Sequence, residues 1–167
     1  MSRFAADVID AALDIVQDSP LDRLRAQRPE VRARTQSSYA ALFGAAPGGL
    51  GSLERFAAAL RVATVNQSPS LAAHYRARLS TEPGGLALTH AIDTGTGGAA
   101  ITSRLAAILR HVELLTSRPS EASRADLTTL AAQGLSEADI VTLSQIVAFV
   151  AYQVRVVAGL ALITEIP

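Results

Sequence analysis

The chain has 167 residues, 49% hydrophobic and only 4% aromatic, with fifteen basic residues balanced by fifteen acidic ones. That length suits one domain with a substantial core, and the shortage of aromatics means a core of Ala, Leu, Val and Ile, which favours close-packed helices. Zero net charge leaves no basic excess to displace counterions from nucleic acid, and the lack of Cys excludes disulfides, thiol catalysis and cysteine zinc sites.

Helix signals then follow one another along the chain. "AADVIDAALDIV" places Val8, Ile9, Ala12, Leu13 and Val16 on one stripe, with Asp7, Asp10 and Asp14 opposite. Those acidic residues also interrupt the apolar run that a signal peptide needs, so a cytoplasmic location is expected. "SPLDRLRAQRP" has Ser19 as N-cap and Pro20 at the first helical position, and it stops before Pro29. From Pro29 to Gly44 a third helix turns Tyr39, Leu42 and Phe43 inward, its Arg-rich middle reading as a solvated face. After the loop "AAPGGLGS", Ser52 is the expected cap of "LERFAAALRVATVNQ", whose core face is Leu53, Phe56, Ala57, Leu60 and Val65.

"SPS" restarts the chain, with Ser68 as cap and Pro69 in the first turn of "SLAAHYRARL". His74 falls in the second turn of that helix. "LALTHAI" reads as one or two turns, and the Gly-rich "DTGTGG" as a connection, because it lacks the GK[ST] ending of a phosphate loop. A long amphipathic helix is expected from about Ala99 to Pro119. Ser123 caps the next, which Gly134 stops, and Ser136 with Asp139 caps the last, with Leu135 and Ile140 as a staple. The last helix is apolar on more than one face, so a place at the centre or at an interface is expected. Gln153 and Arg155 argue against a membrane span there. The expectation is an all-α, single-domain bundle (residues 1–167) of about seven to nine helices, and the apolar, neutral chain favours a homo-oligomer.

"LLTSRPSEASRADLTTLAAQGLSEADIVTLSQIVAFVAYQVRVVAGLAL" resembles the C-terminal third of the alkylhydroperoxidase D and carboxymuconolactone decarboxylase superfamily, in its peroxidase-related branch. Leu115, Thr116 and Pro119 match a step before a short helix. Gly134, Leu135 and Ser136 match a helix cap, and Arg155 with Gly159 matches the end of the last helix. "LERFAAALRVATVNQSPSLAAHY" is similar to the helix pair that holds the family's active site. The resemblance covers residues 52–162, with residues 1–50 as a helical N-terminal extension, and it implies the alkylhydroperoxidase D-like bundle.

The departure from the family pattern decides the chemistry. Peroxidatic members carry Cys-x-x-Cys-x-x-x-His, with a Glu on the preceding helix. Counting back from His74 places the two Cys positions at Gln67 and Ser70; counting forward from Asn66 places them at Ser68 and Leu71. The Glu falls at Glu54 or Arg55. A serine hydroxyl holds its proton too tightly and has no sulfenic-to-disulfide cycle, so thiol peroxidase chemistry is excluded.

The decarboxylase branch works without the Cys pair and keeps a Leu-x-x-His context, as Leu71 to His74 do. The resemblance therefore offers His74 as acid or base on a small carboxylated or lactone substrate, with Glu54 as its hydrogen-bonded partner and Arg61 or Arg76 as a clamp. Ser70, one turn before His74, completes the candidate site of His74, Glu54 and Ser70. The competing reading is a packed histidine in a non-catalytic oligomeric accessory protein. His111 reads as a surface or groove residue, and Tyr152 with Arg155 as packing. No cofactor is expected, and no metal, since His74, His90 and His111 show no ligand spacing. The expected partners are a second copy and a small-molecule ligand.

Overall fold

In a computed structural model that describes residues 7–44, 49–94 and 101–164, the described residues form nine α-helices, one 3-10 turn and no strand. The helices are α1 (Val8–Ala12), α2 (Pro20–Ala26), α3 (Pro29–Phe43), α4 (Ser52–Val65) and α5 (Pro69–Ser80), then α6 (Gly85–Thr94), α7 (Ser103–Ser117), α8 (Arg124–Ala132) and α9 (Glu137–Thr164). The 3-10 turn, Pro119–Glu121, joins α7 to α8.

α4 is the hub, packing against α5, α7 and α9. Its alanines explain why. Ala57, Ala58, Ala59 and Ala63 are all fully buried together with Phe56, Leu60 and Val62, so neighbours approach α4 closely on more than one side. α9 supplies Leu143, Ile146, Val147, Val150 and Val157 to the same core. Its outer side is left uncovered: Val141, Tyr152, Leu162 and Ile163 are exposed. An 18-residue window within Glu137–Ile163 has a mean hydropathy of 2.1 and is only 28% buried, which makes α9 long and apolar enough to cross a membrane by length and composition.

Several boundaries differ from the sequence reading. α1 ends at Ala12, because Asp14 turns into the left-handed region (φ 49°), and Val16 is then 71% exposed rather than part of the stripe. Gly51, not Ser52, is the N-cap of α4, where its N–H donates to Glu54 Oε2 at 3.0 Å. "LALTHAI" belongs to a ten-residue helix, α6, and α7 starts at Ser103 behind a Thr102 cap. The segment "GTGG" lies outside the described residues. α3's arginines are not all solvated, since Arg32 is paired with Asp10 and, at 3.2 Å, with Asp22, while Arg25 reaches Asp7 at 3.1 Å. That ion network ties α1, α2 and α3 together.

The expected cap of α9 is present. Asp139 accepts from Ser136 N at 3.0 Å, Ser136 Oγ at 2.7 Å and Leu50 N at 2.9 Å, so one buried carboxylate closes α9 and anchors the approach to α4.

Candidate functional site

α4 and α5 are joined by a tight turn at Asn66–Ser68. Gln67 adopts φ 54°, and Ser68 N donates to Ala63 O at 3.0 Å, closing the turn as a Schellman motif. Pro69 then opens α5, which carries His74 back along α4.

Four of the chain's seven Phe and Tyr residues form a cluster that His74 joins through Tyr39 and Tyr75. Its ring lies edge-on to Tyr75 at 5.0 Å and to Tyr39 at 5.7 Å between centroids. Phe43 stacks on Phe56 at 5.1 Å and touches both tyrosines. Tyr39 and Phe43 reach this cluster from α3, so the N-terminal helices help to build it. Polar contacts within the cluster are few and specific. Tyr39 Oη is 3.0 Å from His74 Nε2, Tyr75 donates to Gln153 Oε1 of α9, and the Arg78 guanidinium lies 5.0 Å over the Phe56 ring.

Electrostatics fix the protonation states. Burial, with Arg78's charge adding to it, pushes His74 down to about 4, so the ring is neutral at pH 7. The neutral imidazole shares one hydrogen bond with the Tyr39 phenol at Nε2, its direction set by the ring's tautomer. Burial raises Tyr39 against the lowering effect of Arg78, and raises Tyr75 well above its ordinary value.

The structure separates the three residues proposed from sequence. Glu54 does not meet His74: its Oε1 takes Arg104 Nε of α7 at 2.7 Å, while Oε2 caps Gly51. Arg104 also donates to Gln133 O at 3.0 Å and Gly49 O at 2.8 Å, so Glu54 belongs to a junction of α4, α7 and α8. The reason is register, since Glu54 sits in the first turn of α4 and His74 packs further along the antiparallel pair. Ser70 stands one turn ahead of His74, half-buried, and among the described residues no hydrogen bond joins the two. Arg55, the other candidate for the family's Glu position, is buried and donates to Leu50 O and Leu42 O, both at 2.9 Å. Arg61 pairs with Glu113, and Arg76 with Asp93 at 2.7 Å.

Of the two counts for the lost thiols, Leu71 is fully buried in the core and Gln67 is exposed, with Ser70 half-buried. An open groove of about 430 Å³ lies at this turn, lined by Thr64, Gln67, Ser68, Pro69, Ala72 and Arg76. His74 is not among its lining residues.

His111 also departs from the sequence reading. It is 5% exposed, wedged between α7 and α8 beside Asp126, with burial lowering its pKa and Asp126 opposing that shift. Sequence reasoning missed Tyr39, Tyr75 and Gln153 as members of the cluster. Tyr39 was legible as inward-facing, but the pairing of Tyr75 with Gln153, 78 residues apart, left no local trace.

Neither a protein-family model nor a curated protein sequence matches the chain. Its structure is similar to the crystal structure of an uncharacterized peroxidase-related protein from Silicibacter sp. TM1040, with a TM-score of 0.70 and 21% identity over 91% of this chain and 90% of that one. The chain thus has the all-α fold of a peroxidase-related protein, without the cysteine on which thiol peroxidase chemistry depends.

Proposed function

We propose that this is a thiol-free member of the alkylhydroperoxidase D and carboxymuconolactone decarboxylase superfamily that is not a Cys-dependent peroxidase, and in which His74 serves packing rather than proton transfer. The carrying observation is the largely enclosed ring of His74, edge-on to Tyr39 and Tyr75, where burial and the charge of Arg78 lower its pKa to about 4. A general acid at neutral pH needs its protonated form, and an imidazole at that pKa offers about one part in a thousand. The protein then acts as a helical assembly. The outer face of α9 is its contact with a second copy, since Arg155 is the one charge among Val141, Gln145, Ala148, Tyr152, Arg155 and Leu162. The test is direct: alkyl hydroperoxide with dithiol shows no turnover above buffer, and His74→Gln lowers thermal stability without changing any activity found.

One observation favours a second reading, a decarboxylase or isomerase acting on a small carboxylated substrate. Tyr39, His74 and Arg78 form a polar trio inside an apolar surround. There His74 would be a base that draws a proton through Tyr39, and the rate would stay flat from pH 8 down to about 5.

A further inference from the structure

Between Ala138 and Arg155 the exposed residues of α9 are Ala138, Val141, Gln145, Ala148, Tyr152 and Arg155, and no others. Gly159 and Leu162, also exposed, continue the same alternation of three- and four-residue steps. A repeat of about 3.5 residues is the spacing with which one helix offers a seam to another. This seam runs for about 36 Å. Its one charge is Arg155, whose Nη1 donates to Ala151 O of its own helix at 2.9 Å and which pairs with no carboxylate among the described residues. The Tyr152 hydroxyl lies 3.2 Å from Thr35 Oγ1 of α3, which steadies the largest side chain of the seam.

Large and small residues alternate so that the seam fits a reversed copy of itself. With a two-fold axis level with Val150, each residue faces the one equally far on the other side. Tyr152 then meets the partner's Ala148, Val141 the partner's Gly159, and Ala138 the partner's Leu162, a larger group against a smaller one in every apolar layer. The two polar residues also meet, so Gln145 Oε1 accepts from the guanidinium of the partner's Arg155. A parallel pair would instead set Arg155 against Arg155 and Tyr152 against Tyr152, bringing like charges together and leaving a gap at Gly159. Moving the antiparallel axis half a heptad either way separates Gln145 from Arg155 and leaves two seam residues without a counterpart. An acyl-chain environment would strand both polar groups in the middle of the stripe.

We infer that α9 pairs antiparallel with α9 of a second copy, in the register that joins Gln145 to the partner's Arg155. The inference rests on the self-assembly proposed above and adds its geometry and its specificity: a partner must present the same order of large, small and polar residues.

The absence of native Cys makes this register readable by cross-linking. Gln145→Cys and Arg155→Cys each give the full-length chain a single thiol. Under mild oxidation neither variant alone forms a covalent dimer, because like positions stand about 15 Å apart along the pair, whereas an equimolar mixture does. Gln145→Glu gains an ion pair with the partner's Arg155 in two layers and tightens self-association about tenfold by analytical ultracentrifugation. Gln145→Arg sets like charges there and loosens it about tenfold, and both effects shrink in high salt. All four substitutions are at exposed positions, so the circular dichroism spectrum is unchanged. Disulfide formation by Gln145→Cys alone, no disulfide in the mixture, or looser association of Gln145→Glu would overturn the register while an oligomeric parent kept the self-assembly. A parent that is monomeric, or that is recovered on phosphatidylcholine vesicles instead of as a dimer, would overturn both.

Discussion

Tyr75 and Gln153 are both wholly buried, and the Tyr75 hydroxyl donates to Gln153 Oε1, but Gln153 Nε2 has no partner. This asymmetry makes the α5–α9 contact quantitatively testable. Tyr75→Phe removes the donor and strands the whole amide, so it costs about 1–3 kcal/mol, the penalty for an unsatisfied buried group. Gln153→Met conserves length and strands the phenol at a similar cost, yet it also removes the unpaired Nε2, which returns about as much. Its net effect is therefore close to zero. The double variant loses one hydrogen bond, worth about 1 kcal/mol, and sheds every unsatisfied group, so it is at least as stable as the parent and clearly more stable than Tyr75→Phe. Urea unfolding of the four proteins, with midpoints compared at equal slopes, closes the cycle. A loss of about 3 kcal/mol or more in Gln153→Met would refute the reasoning, because Nε2 would then have to be satisfied in the native state. A neutral Tyr75→Phe would refute it as well.

Asp139→Ala leaves Leu50 N and both Ser136 donors without their acceptor and costs about 3 kcal/mol by thermal unfolding. Ser136's hydroxyl and the backbone donors hold the Asp139 carboxyl below its usual range, so its stabilisation is complete above about pH 4 and is lost as pH falls through the lowered value. Gly85→Ala would place a Cβ 1.7 Å from Leu79 O, so it forces the α5–α6 turn open and lowers stability by at least about 3 kcal/mol in the same assay. If the chain self-associates through α9 as proposed, light scattering shows the parent as an oligomer and Val141→Glu with Ala148→Glu, on the uncovered side of α9, as a monomer with its circular dichroism spectrum kept; a monomeric parent or an unchanged particle mass would overturn that proposal.

Much of the helical order is legible because its signals are local. Ser19, Ser123 and Ser136 stand at N-caps, Gly134 sits at φ 81° after α8, and Pro20, Pro29 and Pro69 open helices as their fixed φ favours. What failed depended on distance in sequence. An arginine on a helix reads as solvated unless its partner is known, and the partners of Arg25, Arg32 and Arg104 lie on other helices. Glu54 illustrates the same limit at the site: the family pattern pointed it at His74, whereas Arg104, 50 residues later, claims it. Gln153 reads as a break in an apolar run, and it is instead the polar contact at the centre of α9's buried face. The aromatic surround of His74 needs α3 folded onto α5, which no short pattern encodes.

The proton titration of His74, followed by NMR of its ring protons with His74→Gln for assignment, bears most directly on whether its surroundings hold this ring neutral. An ordinary exposed histidine titrates near 6.5, whereas the folded protein is expected to hold His74 neutral from pH 8 to about 5, with a midpoint near 4. Because the folded value is depressed, stability is complete above about pH 6.5 and falls as pH drops toward 4, by an amount on the order of 2–3 kcal/mol. A midpoint at about 6 or higher, with no loss of stability across that window, would contradict a packed, neutral His74 and return it to the acid–base role.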